Sequence, residues 1–118
     1  MSQLNTLYSS LIEIDAAETW PYTLKLSKWL NRHGVDLLIA TVGDPSFFKG
    51  PDALLELSDL SVNASDWTSR KTGIVHPAGE VIFFTPTGGT SDSRYEMKIP
   101  FTTTTGKVGV VIQPIYVI

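Results

Sequence analysis

Two histidines, His33 and His76, are the strongest general-base or metal-ligand candidates in the chain, set among scattered serines and carboxylates. Cysteine is absent, which removes disulfides, thiolate catalysis and cysteine-held metals. Neither histidine stands in a HExxH arrangement, and no serine stands in GxSxG. A metal site from His33, His76 and carboxylates, or a serine nucleophile served by His76, therefore has no support in spacing. His33 near a helix end is accounted for by the helix dipole, and His76 beside Pro77 by a turn.

Two weaker motifs are present. Gly88-Gly89-Thr90-Ser91 has the look of a phosphate cradle, but the lysine and the following helix of a P-loop are missing. Asn63-Ala64-Ser65 matches a glycosylation acceptor by chance, because no secretory leader is evident. The expectation is a non-enzymatic protein with no cofactor and no metal.

Charge gives one further candidate. Lys25, Lys28 and Arg32 fall at i, i+3 and i+7, one face of an expected helix. A solvated face is the ordinary explanation. The functional one is a cationic contact for an acidic partner. The net charge of −3 argues against non-specific nucleic-acid binding. No apolar stretch approaches the roughly 18 residues of a membrane helix. A cytoplasmic location, or a place in a virion assembled in the cytoplasm, follows as the expectation, with protein partners and neither nucleic acid nor membrane.

The elements that must carry these residues are read from periodicity. At 118 residues and 42% apolar content, one domain spanning 1–118 is expected. Its first 34 residues are expected to be helical and the remainder mainly β. Residues 2–14 read as an amphipathic helix through Leu4, Leu7, Tyr8, Leu11 and Ile12, with Ser2 as its cap. Thr19 and Pro21 can start a second helix that Gly34 ends, burying Tyr22, Leu26, Trp29 and Leu30. Tyr22, Leu24 and Leu26 also alternate, which fits a strand over the first half of that segment.

Residues 36–42 read as a buried strand and Phe47-Phe48 as a loop. Residues 53–60 fit either a helix or a strand. A hairpin is expected over 74–85, turning at His76-Pro77-Ala78-Gly79, then a polar loop over 85–94.

The clearest signal is a hairpin over 95–118. Tyr95, Met97, Ile99 and Phe101 alternate with Glu96, Lys98, Pro100 and Thr102. A four-residue loop, Thr104 to Lys107, pairs Phe101 with Val110, Ile99 with Ile112, Met97 with Pro114 and Tyr95 with Tyr116. Beyond it, Ile115, Tyr116, Val117 and Ile118 are apolar on both faces, so a second layer or another chain must cover them.

The fold expected is α+β, with two N-terminal helices packed on a mostly antiparallel sheet of hairpins. A β-sandwich or small barrel with N-terminal helices is the alternative. The function expected is a homo-oligomeric or larger assembly: a structural subunit of a particle, such as a virion head or tail protein, joined through the apolar C-terminal strand. Its rivals are a small binding or inhibitor protein acting through Lys25, Lys28 and Arg32 or the 85–94 loop, and a hydrolase with an unrecognised site.

Overall fold

The computed structural model describes residues 6–33 and 38–118, without the side chains of Asn31 and His33. Three sheets hold eleven strands among the described residues, and Ser27–His33 (α1) is the single helix. The chain is mostly β, so the α+β expectation with two N-terminal helices is overturned, and with it the N-terminal helices of the alternative.

The largest sheet is built around the C-terminal hairpin. Strand β10 (Ser93–Thr103) pairs antiparallel with β11 (Val108–Val117). On the far side of β11 lie two short parallel strands, β1 (Leu7–Tyr8) and β2 (Ile12–Ile14). On the far side of β10 lie β4 (Ile39–Val42) and β5 (Ser46–Lys49), both antiparallel. A second sheet places β9 (Val81–Gly88) between β3 (Tyr22–Lys25) and β6 (Leu55–Val62). A small third sheet joins β7 (Trp67–Thr68) to β8 (Val75–His76).

One core unites the two larger sheets. Tyr95, Met97, Ile99 and Phe101 of β10 and Val111, Ile115 and Val117 of β11 belong to the same buried cluster as Leu24, Leu55, Leu57, Ile82 and Phe84. Helix α1 adds Trp29 and Leu30, following Leu26 at helical spacing. The Trp29 indole meets Phe101 edge-on, with ring centroids 5.4 Å apart.

The hairpin forms where expected but one residue out of the expected register. Phe101 faces Gly109, Ile99 faces Val111, Met97 faces Gln113 and Tyr95 faces Ile115. The cause is the pairing of a large side chain with an absent one. A Cβ on Gly109 would lie 2.3 Å from Cζ of Phe101, so the ring occupies the space above that glycine. The turn agrees. Gly106 N–H donates to Thr103 O, Thr103 N–H to Lys107 O, and Gly106 holds φ 85°, which makes a three-residue loop closed by a glycine bulge. Pro100, which has no N–H to give, lies between the stretch of β10 paired with β4 and the stretch paired with β5.

The N-terminal segment is extended because β11 needs a partner along its outer edge. Ser9 N–H donates to Ile112 O, and the Gln113 amide donates to Ser10 O at 2.8 Å. These bonds satisfy groups that a helix over 6–14 would leave unpaired. The helical pattern misleads because burial switches parity between Leu7 and Ile12, leaving Tyr8 and Leu11 exposed. Ser2 and Leu4 of the expected helix lie outside the described residues, as does the Gly34 stop.

The segment from Tyr22 to Lys25 is strand, as its alternation allowed, and the helix starts only at Ser27. Phe47 and Phe48 are in a strand, not a loop, and 55–62 is strand. The 36–42 strand is described from Ile39 on. The expected 74–85 hairpin does not form, since β8 pairs with β7 and β9 with β3 and β6. The long polar loop shrinks to Gly89–Asp92, because β9 runs to Gly88.

Candidate functional site

The polar groups that the sequence left scattered converge where α1 meets the segment between β8 and β9. Leu26 N–H donates to Glu80 O, which sets the first turn of α1 against the start of β9. Ser27 Oγ then lies 2.5 Å from Glu80 Oε1 and 3.2 Å from His76 Nδ1. A hydroxyl has one hydrogen to give. With that hydrogen on the Glu80 carboxylate, the network assigns the imidazole proton to Nδ1, donating to Ser27. His76 Nε2 is left as an acceptor, buried and without a partner among the described residues. Trp67 lies tilted on the imidazole, centroids 5.8 Å apart, and also meets Phe83 edge-on.

Serine and histidine are therefore adjacent, but the proton runs the wrong way for a relay. A nucleophilic serine must donate to the imidazole, and this one donates to a carboxylate. What the trio does in the folded chain is tie α1, β8 and β9 together.

Around it opens a cavity of about 440 Å³, lined by Lys25, Ser27, Lys28, Thr72, Ile74, Val75, His76 and Glu80. Lys25 sits at the end of β3 and Lys28 in α1, so the lysines reach one cavity from two elements rather than from one helix face. Arg32, the third member of the expected stripe, is exposed on α1 but does not line this cavity. The His33 side chain lies outside the described structure.

The asparagine of the glycosylation-like triplet is consumed inside the fold. Asn63 Oδ1 accepts from the N–H groups of Gly79, Glu80 and Val81, and its Nδ2 donates to the carbonyls of Ser65 and Pro77, with His76 O farther off at 3.4 Å. That knot holds the chain from His76 to Val81 in place and so positions two of the three members of the serine trio. Such a many-partnered asparagine leaves no mark in a single sequence beyond its presence before a turn.

The glycine cradle is also structural. A Cβ on Gly88 would lie 2.7 Å from Leu54 O, and one on Gly89 2.8 Å from Val117 Cγ2. The Gly89 N–H is already spent on Leu54 O. Beside it Asp52 accepts hydrogen bonds from Thr90 Oγ1, the Tyr95 hydroxyl and Leu54 N–H. Those bonds, Thr90's first, hold its carboxyl below the usual aspartate range.

The C-terminal residues are placed as follows. Ile115 and Val117 are fully buried in the core, Tyr116 is half-buried with its hydroxyl on Asp92, and Ile118 is 64% exposed. One face of this strand, Ile115 and Val117, is thus covered by the chain itself, while Tyr116 and Ile118 leave on the other; β10 and β2 flank its two edges.

Besides Trp20, Leu54, Ile74 and Val75, which are exposed elsewhere, exposed apolar groups lie at the two outer edges of the largest sheet. Tyr8 and Leu11 flank its β1/β2 edge, and Phe47 and Phe48, 41% and 42% exposed, lie on β5 at the opposite edge. Lys98 Nζ stands 4.6 Å from the centre of the Phe48 ring. Among the described residues no group of histidines and carboxylates is arranged to hold a metal ion, and no helix is long and apolar enough to cross a membrane. No protein-family model matches the chain, and searches of curated proteins and of solved structures return no significant match.

Proposed function

We propose that the chain is a non-enzymatic assembly subunit, a building block of a larger homo-oligomeric particle, and that it associates through the edges of its largest sheet. The observation that supports this is the exposure of large apolar side chains at both edges, Tyr8 and Leu11 on one and Phe47 and Phe48 on the other. An edge strand offers unpaired N–H and C=O groups, and solvent-exposed aromatics beside them are interface anchors. Strand β5 is exposed at all four residues and pairs only with β10 among the described residues. Joining the β5 edge of one copy to the β1/β2 edge of the next is a heterologous contact, which closes into a ring or continues as a filament.

This moves the contact away from the C-terminal tetrad, of which only Ile118 remains free for a neighbour. Mass photometry, with analytical ultracentrifugation at higher concentration, tests the reading. The parent chain is expected to form oligomers, and Phe48→Ser or Tyr8→Ser should each return it to monomer with unchanged circular dichroism. A parent chain that stays monomeric at high concentration, or edge variants that still associate, would overturn it.

A further inference from the structure

The cavity between α1 and residues 72–80 is separate from either sheet edge, and nothing in the edge contact uses it. Its lining combines two kinds of group. Ile74 and Val75 are large aliphatic side chains left exposed in it. Lys25 and Lys28, from β3 and α1, line it too, exposed and with no ion-pair partner among the described residues. Glu80 is the only acid lining the cavity, and one of its oxygens already holds the Ser27 hydrogen. Two lysines against one glutamate leave a single net positive charge, in a chain whose total charge is −3. The local sign is therefore opposite to that of the molecule.

A concave site of this volume is within the range of small-ligand pockets, which pair a mostly apolar lining with a few placed polar groups. We infer that this cavity binds a small monoanionic amphiphile: a monocarboxylate with a short aliphatic tail. The tail lies on Ile74 and Val75, and the carboxylate lies between the Lys25 and Lys28 ammonium groups. One negative charge matches the one net positive charge of the lining. The aliphatic stems of the lysines extend the apolar surface toward the head group. The wall is pre-formed, because the Ser27–Glu80–His76 bonds and the Asn63 knot fix the segments that carry it. His76 itself is only 8% exposed and serves as wall, not as a contact for the head group.

Isothermal titration calorimetry with octanoate, acetate, 1-octanol and a glutamate-rich peptide tests this on the full chain. Octanoate is expected to bind saturably at one site, more tightly than acetate (head alone) or octanol (tail alone). Lys25→Gln with Lys28→Gln should weaken octanoate about tenfold or more, which is about 1.4 kcal/mol, and leave octanol unchanged. Ile74→Ser should weaken octanoate and octanol alike. Phe48→Ser, on the sheet edge, should change none of these and so separates this site from the assembly contact. The inference is overturned if octanoate fails to saturate, if it binds no better than acetate, or if the double lysine variant binds it unchanged. Binding of the acidic peptide without octanoate binding would equally overturn it, and would make the cavity a protein contact.

Discussion

Replacing Gly109 by alanine tests both the packing and the register of the central hairpin. The backbone there is one any residue adopts, so the effect is purely one of space. The added Cβ would lie 2.3 Å from Cζ of Phe101 and 2.8 Å from Cε1 and Cε2. Ordinary carbon contacts are at about 3.5–4.0 Å, so the ring must retreat by roughly an ångström. It has little room to do so, being 1% exposed with Trp29 edge-on against it.

Overpacking of this kind costs about 1–3 kcal/mol. Removing a glycine from the unfolded chain offsets about 0.4–1 kcal/mol of that. The expected net is a loss of about 1–2 kcal/mol, read by urea unfolding as a lower midpoint at unchanged slope. The sign of the effect distinguishes the two registers. In the register where Phe101 faces Val110, Gly109 would point to the outer face and alanine would stabilise. Phe101→Leu should remove the clash, so the penalty of Gly109→Ala should shrink or reverse in that background, a coupling of about 1–2 kcal/mol between touching residues. A Gly109→Ala protein as stable as its parent, or the same penalty with and without Phe101→Leu, would refute both the contact and the register.

Ending the chain at Pro114 should leave it unfolded by circular dichroism, because Ile115 and Val117 are fully buried and residues 115–117 carry the ladder to β2; a folded truncation that merely fails to assemble would show the segment to be an interface after all. The Tyr22 hydroxyl is pushed up to about 12 by burial first and by the Glu18 carboxylate it donates to. Its folded value lies above the unfolded one, so its contribution to stability is complete below pH ~10 and is lost as pH rises through about 12. Tyr22→Phe should flatten that alkaline loss in urea midpoints measured across this range; an identical decline in the two proteins would count against the shift.

Strands were legible where one face of the pattern was uniform. Residues 95–102 alternate without exception, and the structure buries the odd-numbered positions and half-buries the even ones. The register was not legible by matching apolar with apolar, because the decisive pair is an aromatic over a glycine. The N-terminal segment was misread because its apolar spacing fits a helix, while its true constraint, the empty flank of β11, lies about a hundred residues away. The same holds for the cavity. Lys25 and Lys28 stood out as neighbours in sequence, but Ile74, His76 and Glu80 join them only once β9 docks between β3 and β6. A single sequence records which residues are present, and pairing between distant strands decides which of them meet.

The threading of β11 between β10 and the N-terminal strands has a kinetic side. Leu7 pairs with Val111, and the Gln113 amide reaches Ser10 across 103 residues of chain. Contacts of such separation demand that a very long loop be closed before they return any energy, and chains dominated by them fold in milliseconds to seconds rather than microseconds. During synthesis β1 and β2 leave the ribosome early and wait for a partner that emerges after every other strand. Until then the long flank of β10 and the apolar side chains of the N-terminal segment stay open to whatever is nearby. The interval between translation of Leu7 and translation of Val111 is thus the time in which this chain is most exposed to pairing with the wrong neighbour.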